Sequence, residues 1–332
     1  MHLPSPLFSF ALPSVHDGSQ LDCRLYLPRK LQRPESAPRR PKRGAIVAHP
    51  YAPLGGCYDD PVVNFIGAQL LQAGYVVGTF NFRGAGDSEG RTSWTAKPEL
   101  ADYVTFYGFM LLYLYTLQLG APAHKGDSDS PAGMHLILGG YSYGSLIASH
   151  LPATDVVVDL FRQAVSGTAP YEVCKIAEKI AAHSKERLGL QTQSPTADKP
   201  TTAIDGDGFD KISGSTVSYL LVSPLLPPLS QLLTVFSKLS LDLGVEIPAQ
   251  GKQIPCPKPA TQLGEHRTLA IYGNQDGFTS AKKLRTWAAG LSERPQSQFQ
   301  TREIDRAGHF WREDGVAIQA RRVLEDWLEE MP

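Results

Sequence analysis

Short apolar runs alternate along this chain with longer stretches in which apolar residues recur at helical spacing. Residues 44–49 and 134–139 are largely apolar runs, typical of strands buried on both faces, whereas residues 61–73 repeat apolar positions every three or four residues. The same patterns predict strands at 21–27, 75–82, 217–223, 268–273 and 299–304, and helices at 103–117, 280–289 and 316–328. Strands interleaved with helices predict an α/β fold, a mostly parallel, twisted sheet with helices on both faces.

At 332 residues the chain is long enough for one large α/β domain, and we predict a single domain over residues 1–332. Residues 155–215 interrupt the alternation. Within them 171–188 has helical spacing, whereas 191–215 is rich in Thr, Ser, Asp, Gly and Pro. We predict a cap or lid insertion at 155–215 with a flexible arm at about 191–215. This insertion and a proline-rich stretch at 225–262 follow strands, so both are expected to shape a ligand pocket.

Two stretches need separate interpretation. Residues 103–117 are strongly apolar, but Thr105, Gly108 and Thr116 interrupt them and they are shorter than a bilayer span. They predict a buried helix and no membrane span. Residues 29–43 are rich in arginine, lysine and proline, which favours an exposed loop, with a targeting signal as the alternative.

The net charge of −1 gives no electrostatic reason to expect a nucleic-acid partner. The four cysteines include no Cys-x-x-Cys pair, and the N-terminal residues are not a basic segment followed by an apolar core, so we expect a reduced, cytoplasmic protein. The segment Gly84-Ala85-Gly86 lacks the third glycine of a dinucleotide-binding loop. No cofactor and no metal are expected.

The run that begins at Met134 ends in Gly140-Tyr141-Ser142-Tyr143-Gly144, a Gly-x-Ser-x-Gly sequence. A buried strand that turns sharply into a helix would hold the Ser142 hydroxyl exposed above the sheet. Glycine is expected at 140 and 144 because a side chain there would collide where the chain reverses. The alternative is a glycine-rich turn with a purely structural role.

A serine nucleophile requires a general base, and His309 is the best-placed histidine. It lies in a polar turn between the last strand and the last helix, which should return to the sheet edge that carries Ser142. An acid must orient that base, and Asp276 follows the strand at 268–273. The chain order Ser, Asp, His favours Asp276, while Asp305 is the main alternative.

Acyl transfer also requires donors for the oxyanion that develops on the substrate. The backbone N–H of Tyr143, directly after the nucleophile, is the first candidate. The second should come from the loop after the strand at 44–49, where Pro50 has no N–H to give. Tyr51 is therefore the choice, with Ala52 as the alternative.

Taken together, these residues resemble the α/β-hydrolase fold, and in particular a poorly characterised branch. The resemblance rests on a His-Pro-x-x-x-x-Gly-Gly loop at 49–56, an Asn-Phe-Arg-Gly-x-Gly-x-Ser-x-Gly segment at 81–90 and a His-Phe pair at 309–310. It runs from about residue 44 to the end of the chain. Tyr51 stands where that branch commonly has a second histidine.

The resemblance implies a serine hydrolase that acts on a small acyl substrate. Ser142 would attack the carbonyl of a carboxylic ester or thioester, His309 would shuttle the proton, Asp276 would orient His309, and an acyl-enzyme would then react with water. The alternatives are a peptidase, acyltransferase or lyase that uses the same triad, and a non-catalytic binding protein.

Four further side chains are expected to contact the substrate. His49 ends an early strand beside the oxyanion loop, and Tyr141 and Phe310 directly adjoin the nucleophile and the base. The planar guanidinium of Arg83 suits a substrate carboxylate or phosphate. The alternative for Arg83 is an ion pair with nearby acids at 87 and 89 that orders its own loop.

Overall fold

The apolar runs form the central strands of one sheet. These strands are apolar along their length because helices cover both faces of the sheet and bury them. The computed structural model describes residues 2–28, 42–118, 133–189, 204–234, 239–241 and 254–331. The strands in this part of the chain are β1 (Phe8–Pro13), β2 (Gln20–Tyr26), β3 (Lys42–Ala48), β4 (Val76–Phe80), β5 (Met134–Tyr141), β6 (Thr216–Val222), β7 (Ser240–Leu241), β8 (Ile254–Pro255), β9 (Arg267–Gly273) and β10 (Phe299–Ile304).

Eight of these strands form the main sheet, in the order β1-β2-β4-β3-β5-β6-β9-β10. From β4 to β10 every neighbouring pair is parallel, whereas β2 pairs antiparallel with both β1 and β4. Strands β7 and β8 form a separate short antiparallel pair. The predicted α/β fold with a mostly parallel sheet is therefore confirmed, and the strand predicted at 21–27 is its antiparallel β2.

Helices follow most of the strands and cover both faces of the sheet. They are α1 (Pro61–Gln72), α2 (Lys97–Gln118), α3 (Tyr143–Ala148), α4 (Thr154–Arg162), α5 (Ala169–Arg187), α6 (Gly206–Ser213), α7 (Leu229–Leu233), α8 (Pro259–Glu265), α9 (Ala281–Ser292) and α10 (Val316–Glu329). Apolar side chains of α1 and α10 pack on one face, and those of α2, α3, α8 and α9 pack on the other. Side chains alternate between these two clusters along the central strands β3, β5, β6 and β9.

Helix α2 is buried along nearly its whole length. Every residue from Glu99 to Leu117 is buried, which confirms the predicted buried helix. By length and composition α2 is long and apolar enough to cross a membrane, but its most apolar 18-residue stretch is wholly enclosed by the protein. Gly108 admits a neighbouring helix, because a Cβ at this position would lie only 1.9 Å from the ring of Phe161 in α4.

The described helices of the 155–215 insertion form a layer outside α2 and β1. Tyr113 of α2 donates a hydrogen bond to Ser184 of α5 over 2.9 Å, and Arg187 lies over the ring of Phe8 in β1. Within the arm predicted at about 191–215, residues 206–213 form the helix α6. Asp205 caps that helix by accepting from the N–H of Gly208. Residues 190–203 lie outside the described part of the chain, and a lid over the site stays a prediction.

Candidate active site

Ser142 occupies a sharp turn between β5 and α3. Its φ of 55° and ψ of −113° are unusual for a residue with a side chain, and its N–H donates to Val222 O over 2.8 Å. A Cβ at Gly140 would lie 2.2 Å from the carbonyl carbon of Gly144, and a Cβ at Gly144 would lie 2.4 Å from Ala48 O. The strained elbow therefore requires glycine at both positions, because backbone occupies the space that either side chain would need.

The side chains of Ser142, His309 and Asp276 are hydrogen-bonded in series. His309 Nε2 lies 2.8 Å from Ser142 Oγ, and His309 Nδ1 lies 2.7 Å from Asp276 Oδ2. Because a carboxylate only accepts hydrogen bonds, the proton of a neutral imidazole belongs on Nδ1. Nε2 is then free to accept the proton of the Ser142 hydroxyl.

Asp276 is itself held in place by backbone donors. Its Oδ1 accepts from the N–H groups of Phe278 and Thr279, at 2.7 and 3.1 Å, while Oδ2 faces His309. The alternative acid Asp305 is exposed and accepts from Asn274 Nδ2 instead. The structure thus places Asp276, rather than Asp305, against His309.

Tyr141 does not line a substrate cleft. Its ring is 1% exposed, and its Oη donates a hydrogen bond to the carbonyl of His309 over 2.9 Å. The predicted substrate contact at Tyr141 is therefore wrong, because both the ring and the hydroxyl face the protein. The residue connects β5 to the turn that carries His309.

His49 also differs from its prediction as a substrate contact. The imidazole is fully buried; its Nδ1 donates to Pro50 O over 2.6 Å and its Nε2 accepts from the N–H of Phe82 over 2.8 Å. Burial lowers the pKa of His49 to about 4, so the ring is neutral. His49 links the oxyanion loop to the chain that leaves β4, and no ring nitrogen remains for a ligand.

Arg83 is the third predicted substrate contact that the structure places elsewhere. Its guanidinium is buried and binds Asp102 in α2 through Nε at 2.9 Å and Nη2 at 2.7 Å, and Asp17 through Nη1 at 2.9 Å. The alternative, that Arg83 forms an ion pair with acids, agrees with the structure. The partners are Asp102 and Asp17, however, and not the acids at 87 and 89. The acids at 87 and 89 are exposed, and Glu89 accepts from the N–H of Gln20.

The two predicted oxyanion donors come from neighbouring segments. The rings of Tyr51 and Tyr143 pack edge to face with centroids 5.1 Å apart. The loop turns back tightly at Gly56, where a Cβ would lie 2.2 Å from Pro50 O. Within the described residues, the N–H groups of Tyr51 and Tyr143 donate to no backbone acceptor. Both stay available for the predicted role.

Aromatic side chains flank His309. Phe278 stacks on the imidazole at a centroid distance of 4.3 Å, and Phe310 lies edge-on at 5.5 Å from the imidazole and 5.7 Å from Phe278. Phe310 is 52% exposed and Phe278 is 41% exposed. Phe310 is thus the one predicted substrate contact whose side chain reaches the surface. Phe278 was missed, although it lies only two residues after Asp276.

Two acids, the half-buried Asp60 and the buried Glu99, lie near the residues of the candidate site. Burial raises the pKa of Asp60, which caps α1 and lies near His309 and Arg312. Burial likewise raises the pKa of Glu99, which accepts from both the N–H and the hydroxyl of Ser93. Both acids have local backbone donors, which gives each a structural role.

A second serine–histidine contact occurs at the opposite edge of the sheet. His135 Nε2 lies 2.9 Å from Ser218 Oγ, but both residues are buried near the amino ends of β5 and β6. Burial lowers the pKa of His135 to about 4. Ligands of open α/β sheets bind at the carboxyl ends of the strands, so this pair is structural.

The parallel sheet, the strained elbow after β5 and the acid and histidine after β9 and β10 define a class: this chain has the α/β-hydrolase fold. No family model matches the chain, and no curated protein matches it by sequence. Among the described residues, no group of three or more His, Cys, Asp or Glu side chains is arranged to hold a metal ion.

Solved structures of the same fold include an alpha-beta serine hydrolase homologue from Coxiella burnetii, at 15% identity over 97% of both chains with a TM-score of 0.52. XC6422 from Xanthomonas campestris, an α/β serine hydrolase without lid, is 16% identical over 99% of this chain and 96% of its own, with a TM-score of 0.50. Est1E from Butyrivibrio proteoclasticus, with ferulic acid bound, is 12% identical over 97% and 98%, with a TM-score of 0.51.

Proposed function

We propose that this protein is a serine hydrolase that cleaves a carboxylic ester or thioester through an acyl-enzyme. One observation carries the proposal: Ser142 Oγ, His309 and Asp276 are hydrogen-bonded in series at 2.8 and 2.7 Å, on a strained elbow. The similar folds described as serine hydrolases agree with it.

In the proposed acylation step, Ser142 Oγ attacks the substrate carbonyl carbon while its proton passes to His309 Nε2. The imidazolium that forms is stabilised by Asp276, which already accepts from Nδ1 at 2.7 Å. The carbonyl oxygen becomes an oxyanion and accepts hydrogen bonds from the N–H groups of Tyr143 and Tyr51. When the tetrahedral intermediate collapses, the bond to the leaving group breaks and His309 returns the proton to the departing alcohol or thiol.

Deacylation repeats the same chemistry with water as the nucleophile. His309 Nε2 takes a proton from water, the hydroxide attacks the acyl carbon, and the bond to Ser142 Oγ breaks. The proton then returns to Ser142, and a free carboxylic acid leaves. No further group is needed for this cycle beyond the three side chains, the two N–H donors and water.

A fluorophosphonate probe tests the nucleophile directly, because only an activated serine displaces fluoride from phosphorus. We expect stoichiometric labelling of Ser142, measured by intact mass and peptide mapping, together with hydrolysis of short acyl esters. Both should be lost in Ser142→Ala.

The matched control is Ser218→Ala, which also removes a buried hydroxyl bonded to a histidine, here His135 at 2.9 Å. This variant should label and hydrolyse like the wild type, since the pair lies at the other edge of the sheet. No labelling of folded wild-type protein, or labelling that survives Ser142→Ala, would reject the proposal.

Product analysis then separates hydrolysis from acyl transfer. With an ester substrate and an added alcohol acceptor, a hydrolase should release mainly the free acid, which chromatography quantifies. If the ester of the added alcohol is the main product, the protein is an acyltransferase and not a hydrolase.

A further inference from the structure

Most of the large apolar side chains that the described residues expose lie at the same edge of the sheet as Ser142. Leu54, Trp94, Leu232, Phe278 and Phe310 lie in the segments that follow β3, β4, β6, β9 and β10, each 41–80% exposed. These segments are candidates for ligand contact, because ligands of open α/β sheets bind beyond the carboxyl ends of the strands and exposed apolar groups there are available to them.

Two of the five side chains differ from the rest because they touch His309. Phe278 stacks on the imidazole at 4.3 Å, and Phe310 completes a right-angled aromatic corner beside it. Their ring centroids lie 4.3 and 5.5 Å from that of the imidazole, whose Nε2 handles protons in the proposed reaction.

The chemistry of that atom identifies which part of a substrate reaches the corner. His309 Nε2 must protonate the departing oxygen or sulfur, so this atom has to come within hydrogen-bonding distance of Nε2. The alcohol or thiol part of the substrate therefore leaves the reaction centre alongside His309, whereas the acyl part extends from the carbonyl in another direction.

We propose that Phe278 and Phe310 form the leaving-group subsite, and that the preferred substrates are esters or thioesters whose alcohol or thiol part is neutral and aromatic. This inference rests on the proposed function. Aromatic pairs favour edge-to-face and offset-stacked arrangements, and the perpendicular rings of Phe278 and Phe310 offer both to an incoming ring.

Arg312 provides the competing interpretation. Its guanidinium lies 5.2 Å over the ring of Phe310, so a leaving group that carries a carboxylate has a cation to pair with. The half-buried carboxylate of Asp60 interacts electrostatically with the same guanidinium and competes with a substrate carboxylate for it. We therefore assign the subsite to neutral rings, and a charged leaving group forms one arm of the test.

The test compares acetate and butyrate esters of ethanol, benzyl alcohol and 4-carboxybenzyl alcohol, because these alcohols differ little in acidity and so in intrinsic reactivity. For the wild type we expect kcat/KM for the benzyl ester to exceed that for the ethyl ester by about tenfold. In Phe310→Ala this ratio should fall by about threefold to tenfold, the range that an aromatic contact contributes. Phe310→Leu should retain part of the preference for the benzyl ester, because leucine keeps some apolar contact with the ring.

Ile318→Ala is the control, since Ile318 is an equally exposed apolar residue on α10 outside the site. In Ile318→Ala the ratio of kcat/KM for the benzyl ester to that for the ethyl ester should equal the wild-type ratio. A wild-type ratio near one, an unchanged ratio in Phe310→Ala, or a preference for the carboxylate-bearing ester would overturn the inference. Failure of the proposed function is distinguishable, because then no ester in the series is cleaved and the fluorophosphonate probe leaves Ser142 unlabelled.

Discussion

The hydroxyl of Tyr141 donates a hydrogen bond to the backbone carbonyl of His309 over 2.9 Å, and this bond connects the strand that ends at the nucleophile to the turn that carries the base. Tyr141 is the last residue of β5 and is held in the core, so its position is fixed. Tyr141 directly precedes Ser142, so its hydrogen bond to the His309 carbonyl helps to set the distance between Ser142 and His309.

Tyr141→Phe should therefore lower kcat for an ester substrate by about fivefold and leave KM nearly unchanged, since a hydrogen bond of this kind contributes roughly 1 kcal/mol and here acts on the geometry of proton transfer. Steady-state kinetics measure the change. Tyr113→Phe is the matched control, because Tyr113 is a buried tyrosine whose bond to Ser184 lies between α2 and α5. Similar kcat losses in both variants would indicate general destabilisation instead.

Asp276→Asn should lower kcat by about 10⁴-fold without unfolding the protein. The amide oxygen can keep the hydrogen bonds from Phe278 and Thr279, but the NH₂ group then faces His309 Nδ1. The proton of His309 moves to Nε2, where it cannot accept from Ser142. Steady-state kinetics measure kcat, and circular dichroism measures whether the variant is folded. Asp305→Asn removes the exposed neighbouring acid and should change kcat less than twofold; a comparable loss there would contradict the assignment.

The positions of Ser142, Asp276 and His309 could be predicted because each is set locally. Every one follows a strand, apolar in β5 and β9 and with apolar residues only at its ends in β10, and parallel strands bring their carboxyl ends to one edge of the sheet. Helix α2 was predictable for a similar reason, since a strongly apolar run that is shorter than a bilayer span has to be buried in the protein.

Contacts between residues distant in the sequence could not be predicted in this way. Arg83 pairs with Asp17 and Asp102, which are 66 and 19 positions away, and no local pattern identifies them. The bond of Tyr141 to the His309 carbonyl, 168 positions away, could not be predicted either, because the position of that carbonyl depends on how β10 and α10 are connected. Helix α6 was missed because polar, glycine-rich composition outweighed the apolar pair Phe209 and Ile212 on its buried side.

Arg83→Met should destabilise the fold by about 3–5 kcal/mol, because it leaves the buried carboxylate of Asp102 without its cation. Urea denaturation measures the free energy of unfolding. Adding Asp102→Leu to the variant should recover part of the loss, since the unpaired charge is then removed. Arg285→Met breaks an exposed pair with Glu303 and should have little effect.

The same variant tests the earlier role assigned to Arg83. If Arg83 bound a substrate carboxylate, Arg83→Met would reduce kcat/KM for anionic esters more than for neutral ones. With the guanidinium committed to Asp102 and Asp17, we expect the ratio between these esters to stay constant at a temperature where the variant is folded.

The buried His49 makes the stability of the fold depend on pH. Burial lowers the pKa of His49 to about 4, whereas in the unfolded chain the imidazole takes up a proton near pH 6.5. Between about pH 6.5 and about pH 4 the unfolded state therefore binds more protons, so the free energy of unfolding falls as the pH falls. His135, with its pKa also lowered to about 4, acts in the same direction, while the raised pKa values of Asp60 and Glu99 act in the opposite one.

Comparison of the wild type with His49→Gln isolates the contribution of one imidazole, because the other groups cancel in the difference. Glutamine can still accept from the N–H of Phe82 and donate to Pro50 O, but it does not titrate. From about pH 7 to about pH 5 the wild type should lose roughly 2 kcal/mol more unfolding free energy than His49→Gln, measured by urea denaturation at each pH. The exposed His183 supplies the control, since His183→Gln should follow the wild-type curve. Parallel curves for wild type and His49→Gln would mean that His49 is not held neutral in the fold.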